Sequence, residues 1–175
     1  MNWLIQSDRD GAAGASHPRL YHFGATVITH VRSRPQIDVP FFKPAGFWVS
    51  VGDSWLRLVR ASSHLADFSL AKSTEVSVVA SQLIWLRNFE EIVDFERRFR
   101  TEWSHAGVSH TSIGWDKVAA AADGVVITDL DFDKLYRTRE LHWAISWECA
   151  SGCIWNSLAV TRLTEIVNAS PLDPL

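Results

Sequence analysis

At 175 residues and 19.7 kDa, 47% hydrophobic and 11% aromatic, the chain can bury about two thirds of its unfolded surface and is short for two comfortable domains. Such apolar content excludes disorder, because burial offsets conformational entropy, and no apolar run approaches the roughly 20 residues that a membrane span needs. A formal net charge of −3 and a pI near 6.1 argue against a surface given over to nucleic acid, which needs a cationic face.

The charge is uneven: +3 over residues 1–60, −4 over 61–140 and −2 over 141–175. The basic first third reads either as a face for a phosphate-bearing ligand or as scattered solvated charge. Residues 6–18 are small, polar and glycine-rich, which predicts a flexible segment over 1–18 and a single α+β domain over 19–170. Residues 20–23 read as a strand ended by Gly24, and 25–31 either extend it or open a connecting helix. Three prolines make 32–44 a loop. Residues 46–51 read as a strand closed by Gly52, with Asp53 as N-cap of a short amphipathic helix over 54–60.

Residues 75–80 and 82–86 read as extended. Asn88 caps a helix over 89–103, in which Phe89, Ile92, Val93 and Phe99 recur at helical spacing. Residues 114–118 open another helix through the alanine run; Asp123-Gly124 stops it, and 125–128 follows as a strand. The acidic stretch 129–133 reads as an exposed loop, and 141–147 and 153–160 as strands, the second following a turn at Ser151-Gly152. Two or three helices scattered among six or seven short strands predict an α+β fold with a split mixed or antiparallel sheet, not a doubly wound parallel one.

Two cysteines, Cys149 and Cys153, lack zinc-knuckle spacing and a second pair, so no metal site is expected. With no signal segment at the N-terminus they fit a reducing, cytoplasmic setting, a local disulfide being the less favoured reading. Gly-rich phosphate loops, His-Glu-x-x-His and Gly-x-Ser-x-Gly are all absent. Nine tryptophans, each with a large ring and one N–H to satisfy, read mostly as core, with a pocket for a planar ring as the sharper possibility.

Unusual residues concentrate in three strings: Leu20-Tyr21-His22-Phe23-Gly24, Lys43-Pro44-Ala45-Gly46-Phe47-Trp48-Val49-Ser50, and Trp147-Glu148-Cys149-Ala150-Ser151-Gly152-Cys153-Ile154-Trp155-Asn156. His22 is either a hydrogen-bonded core histidine or a binding group; Ser50 is either a turn former at a strand end or a site residue. Glu148, between Trp147 and Cys149, is hard to bury unless partnered or shifted in pKa, and both conditions recur at functional sites.

The second and third strings resemble a family of small phage and bacterial proteins that share Lys-Pro-x-Gly-Leu/Phe-Trp-x-Ser and Trp-Asp/Glu-x-x-Ser-Gly-Cys-Ile-Trp-Asn. That likeness spans roughly residues 20–160 and implies no particular activity. More remotely, the order of His22, Ser50 and Glu148 on successive elements resembles the ADP-ribosyltransferase superfamily, in which Ser146-Trp147-Glu148 here replaces the usual acidic pair. The resemblance implies NAD as substrate and transfer of ADP-ribose to a macromolecule, protein or nucleic acid. Glu148 would stabilise the oxocarbenium-like state, Ser50 would orient Glu148, His22 would bind the nicotinamide side, and Tyr21 or Trp48 would stack near its ring. The alternative is a non-catalytic phage or host-defence protein that binds a protein partner through an aromatic surface. A metal-dependent hydrolase, for which no ligand-spaced cluster exists, ranks below both.

Overall fold

Alternation along Leu20–Gly24 (β1) and Phe47–Val51 (β2), paired with Tyr21 opposite Ser50, sends Tyr21, Phe23, Trp48 and Ser50 to one face of a sheet. Leu20, His22, Phe47 and Val49 go to the other. These strands lie at the centre of a computed structural model that describes residues 17–37, 43–138 and 141–166. The other strands are Lys72–Val78 (β3), Leu83–Leu86 (β4), Arg100–His105 (β5), Val108–Ile113 (β6), Gly124–Ile127 (β7), Ser151–Ile154 (β8) and Val160–Glu165 (β9). The α-helices are Ser54–Ala61 (α1), Phe89–Phe99 (α2), Trp115–Ala119 (α3), Phe132–Arg137 (α4) and His142–Ile145 (α5).

Seven strands form one mixed sheet in the order β4-β7-β8-β2-β1-β3-β9, antiparallel except for the β4–β7 pair, and β5–β6 is a separate hairpin. The α+β class is as the sequence predicts, with more and shorter elements. On the Trp48 face, Ile92, Phe95, Trp115, Leu135 and Trp147 from the α2–α5 region pack against Val125, Ile127 and Cys153. At the β1 end of that face, Leu56 of α1 closes over Tyr21 and Phe23. The opposite face carries its own cluster, including Leu20, Val49, Val76, Val126 and Ile154. Among the described residues no helix is long and apolar enough to cross a membrane.

Several local expectations are corrected. The helix expected over 89–103 stops at Phe99, because the next six residues pair with β6 around Ala106 and Gly107, whose φ of 50° and 78° suit a two-residue hairpin turn. The acidic loop expected over 129–133 contains a helix start: the Asp131 side chain accepts from the Lys134 amide at 3.1 Å and caps α4. Residues 141–147, read as a strand, contain α5 instead, and the buried set Leu141, Ala144 and Trp147 repeats every third position, a helical spacing. Ser151-Gly152 is not a turn but the first half of β8, and 153–160 divides into the end of β8, a 3₁₀ turn over Ser157–Ala159 and the start of β9. Residues 25–31 form neither strand nor helix. The flexible segment expected over 1–18 falls outside the described residues through position 16, as does the end of the expected domain beyond 166.

Close strand packing depends on glycine at Gly124. A Cβ there would stand 2.8 Å from the Cys153 carbonyl oxygen and 2.8 Å from Leu83 Cδ2. Backbone and core side chain both block it, so Gly124→Ala is expected to lower stability by about 1–3 kcal/mol, as overpacking does. A urea unfolding curve checks this through its midpoint; an unmoved midpoint contradicts the packing described.

Candidate functional site

The two strings singled out by sequence are hydrogen-bonded neighbours. β2 and β8 pair antiparallel with Phe47 opposite Ile154, Trp48 opposite Cys153, Val49 opposite Gly152 and Ser50 opposite Ser151. Much of their distinctive composition serves this pairing. A Cβ at Gly46 would lie 2.7 Å from Cys153 Sγ, and one at Gly152 would lie 2.8 Å from Val126 Cγ2. Cys153 is fully buried, and its thiol donates to the Pro44 carbonyl at 3.6 Å. The Trp155 indole donates to the Ala122 carbonyl at 2.8 Å, and Asn156 donates to Asp123 Oδ1 at 2.9 Å, fastening the end of β8 to the start of β7.

Between the α1 half and the α2–α5 half of the sheet face, side chains do not meet and a cavity of about 330 Å³ remains. Tyr21 and Phe23 line it from β1, Trp48 and Ser50 from β2, Ser151 from β8, Trp55 from α1, with Phe68 and Trp147 completing the aromatic wall. Trp48 and Trp147 pack with ring centroids 4.8 Å apart, and Trp55 meets Phe68 edge-on at 5.2 Å. Lys43 borders the opening, its Nζ 5.4 Å from the Trp48 ring centroid. It is the one lysine, arginine or acid among the described residues that line the cavity.

The five residues expected to form a site are only partly brought together. Tyr21 and Trp48 present their rings to the cavity. His22 borders it from β1, but its imidazole turns to the opposite face, where it stacks on Phe47 at 4.9 Å and donates through Nδ1 to the Trp48 carbonyl at 2.9 Å. Ser50 is 3% exposed and its hydroxyl is committed. It donates to the Gly52 carbonyl at 3.0 Å, lies 3.1 Å from Ser54 Oγ and accepts from the Trp55 amide at 3.0 Å. That last contact caps α1 in place of Asp53, whose side chain makes no capping bond and pairs with Arg57 at 3.2 Å. Ser50 therefore positions a helix and does not orient Glu148.

Glu148 lies outside the cavity, on the turn after α5 and not on a strand. Its side chain is 45% exposed and pairs with Lys43 at 3.3 Å. The buried carboxylate among the described residues is Glu96, which accepts from the Trp143 indole at 3.2 Å. Glu148 has a φ of 65°, the left-handed conformation usual for glycine just past a helix end. For a side-chain-bearing residue this costs about 1–2 kcal/mol.

Sequence reasoning missed Lys43, Trp55, Phe68 and Trp147 as wall residues. Lys43 and Trp147 sit at the ends of the strings already singled out, while Trp55 and Phe68 carry no local signal, since only the tertiary fold brings them to β1 and β2. Both cysteines are free and buried, and burial pushes both thiols up, Cys149 against the opposing hydrogen bonds of Ser54 and Ser151. Among the described residues no group of three or more His, Cys, Asp or Glu could hold a metal ion. Compared with family models, curated proteins and solved structures, the chain matches none.

Two outcomes follow from these environments. Glu148→Gly and Glu148→Ala both remove the carboxylate, so their difference isolates the backbone; the glycine variant is expected to be more stable by about 1 kcal/mol in thermal or urea unfolding. Equal stabilities would mean that the left-handed turn is not populated. Burial keeps the folded thiols protonated to higher pH than unfolded thiols, which ionise above pH ~8.5. Their contribution is whole below that pH and is lost as pH rises from there toward the raised folded values, by at most about 1.4 kcal/mol per pH unit for each thiol. Replacing both cysteines by alanine should flatten the alkaline decline measured by urea unfolding.

Proposed function

We propose that the protein is a binding module that takes a planar apolar ring into the cavity between the two halves of its sheet face, without covalent chemistry. The observation that carries this reading is the convergence of six aromatic side chains, Tyr21, Phe23, Trp48, Trp55, Phe68 and Trp147, around one cavity of about 330 Å³. Protein interiors normally close such gaps, and ligand sites are mostly apolar concavities from about 300 Å³ upward. Stacked or edge-on aromatic pairs add about 0.5–1.5 kcal/mol each beyond the area buried, which favours a flat ring over an aliphatic chain.

ADP-ribose transfer would need an imidazole, a hydroxyl and a carboxylate meeting around one ribose. The His22 imidazole is on the far face, the Ser50 hydroxyl is consumed by the start of α1, and Glu148 faces Lys43 outside the cavity. Binding of a ring, which NAD also carries, is therefore better supported than cleavage of NAD. The alternative, a non-catalytic protein that binds a protein partner through an aromatic surface, calls for exposed aromatic side chains gathered in one patch. Among the described residues, the exposed large hydrophobic ones, Ile37, Phe68, Val108, Tyr136 and Leu158, come from separate segments, and of these Phe68 borders the cavity.

Addition of indole is expected to shift the indole N–H signals of Trp48 and Trp55 in a proton–nitrogen NMR spectrum, and Trp48→Ala should abolish the shift at Trp55. Incubation with NAD is expected to release no nicotinamide. Release that disappears in Glu148→Gln would restore the transferase reading, and unmoved indole signals with every planar ring tried would refute ring binding.

A further inference from the structure

Resting on that reading, we infer that the ring taken by this cavity carries a single negative group, an aryl carboxylate in kind, and that the Lys43–Glu148 pair is a counter-ion gate which the ligand opens by replacing Glu148. The cavity wall offers few other polar handles. Ser50 and Ser151 are both buried and spend their hydroxyls internally, Ser151 on the Cys149 carbonyl at 2.9 Å. His22 directs its ring to the opposite face. Among the polar groups left for orienting a ligand are the Trp147 indole N–H, buried without a hydrogen-bond partner, and Lys43, the charged one, whose Nζ stands 5.4 Å from the Trp48 ring centroid, so that an anionic substituent on a ring lying against Trp48 meets the ammonium at the opening.

Lys43 is already paired, and the character of that pairing gives the site its selectivity. Glu148 reaches Nζ at 3.3 Å from outside the cavity, with side-chain exposures of 36% for Lys43 and 45% for Glu148. An ion pair so open to water contributes little, so exchanging Glu148 for a ligand anion costs little. The ligand adds what Glu148 lacks, burial of its ring against the aromatic wall, which brings its anion to Nζ already anchored. Glu148 is a near neighbour of Lys43, its carboxylate 3.3 Å from Nζ in the pair, so once displaced it stays within side-chain reach of the opening, where a second negative charge on the ligand would meet it. That favours a monoanion over a phosphate dianion. Size fits such a ligand: about 330 Å³ is the liquid volume of roughly eleven waters, enough for a fused bicyclic ring with one short substituent.

Titration calorimetry of the full chain with 2-naphthoate, 2-naphthamide and 2-naphthyl phosphate tests this. Naphthoate is expected to bind at least about tenfold more tightly than the amide, a preference that shrinks as salt is raised, because Lys43 is partly exposed. Lys43→Met should make the two affinities equal, and Glu148→Gln should tighten naphthoate severalfold. Equal affinities in the unaltered protein, or a preference that survives both Lys43→Met and high salt, would overturn the gate while leaving ring binding intact. Tighter binding of the phosphate than of naphthoate would overturn the monoanion assignment. If neither naphthoate nor naphthamide binds and indole leaves the Trp48 and Trp55 signals unmoved, the binding-module reading fails and the gate falls with it.

Discussion

The close pairing of β2 with β8, flanked by β7, is the constraint on which the rest of the molecule depends. Gly46, Gly124 and Gly152 stand where any Cβ would run into the neighbouring strand or the side chains on it, so backbone approaches backbone with nothing between. This register puts Trp48 beside the buried Cys153 and Ser50 beside Ser151. The face of the sheet is set by these contacts, and the helices then divide it.

Division of that face explains the cavity. The α2–α5 region covers the β7–β8 half with a core rich in rings, and α1 covers the β1 half through Leu56. The β2 strand lies under the seam. Stiff, bulky aromatic groups such as Trp48, Trp147 and Trp55 cannot fold down to fill the space as leucines would, so the seam stays open and its walls stay flat. Ser50 secures one side of it by capping α1 from the strand below, which ties the helix to the floor of the cavity.

Charge is placed at the edge of this apolar site and not within it. Lys43 and Glu148 hold each other in water while the rings behind them remain uncharged. Glu148 also occupies a backbone conformation that glycine would adopt more easily. Locally unfavourable residues of this sort concentrate where position matters more than stability.

Local patterns were enough to reveal the α+β class, the strands around residues 20–24, 47–51 and 124–127, and the start of α2 at Asn88, because strand alternation and side-chain caps are written within a few neighbouring residues. The two strings around Trp48 and Cys153 were also visible as unusual, although most of what makes them unusual is close packing. The hairpin after Phe99 and the short helices around Asp131 and Ala144 were misread. Elements of four to six residues carry too few repeats for their period to be distinguished, and tertiary burial decides them. Which face His22 takes, whether Ser50 caps a helix or serves a ligand, and that Trp55 and Phe68 join Tyr21 and Trp48 around one cavity were settled only by the fold. Such contacts depend on strand parity and on how helices far apart in sequence share one sheet face, and no single stretch of the chain encodes them.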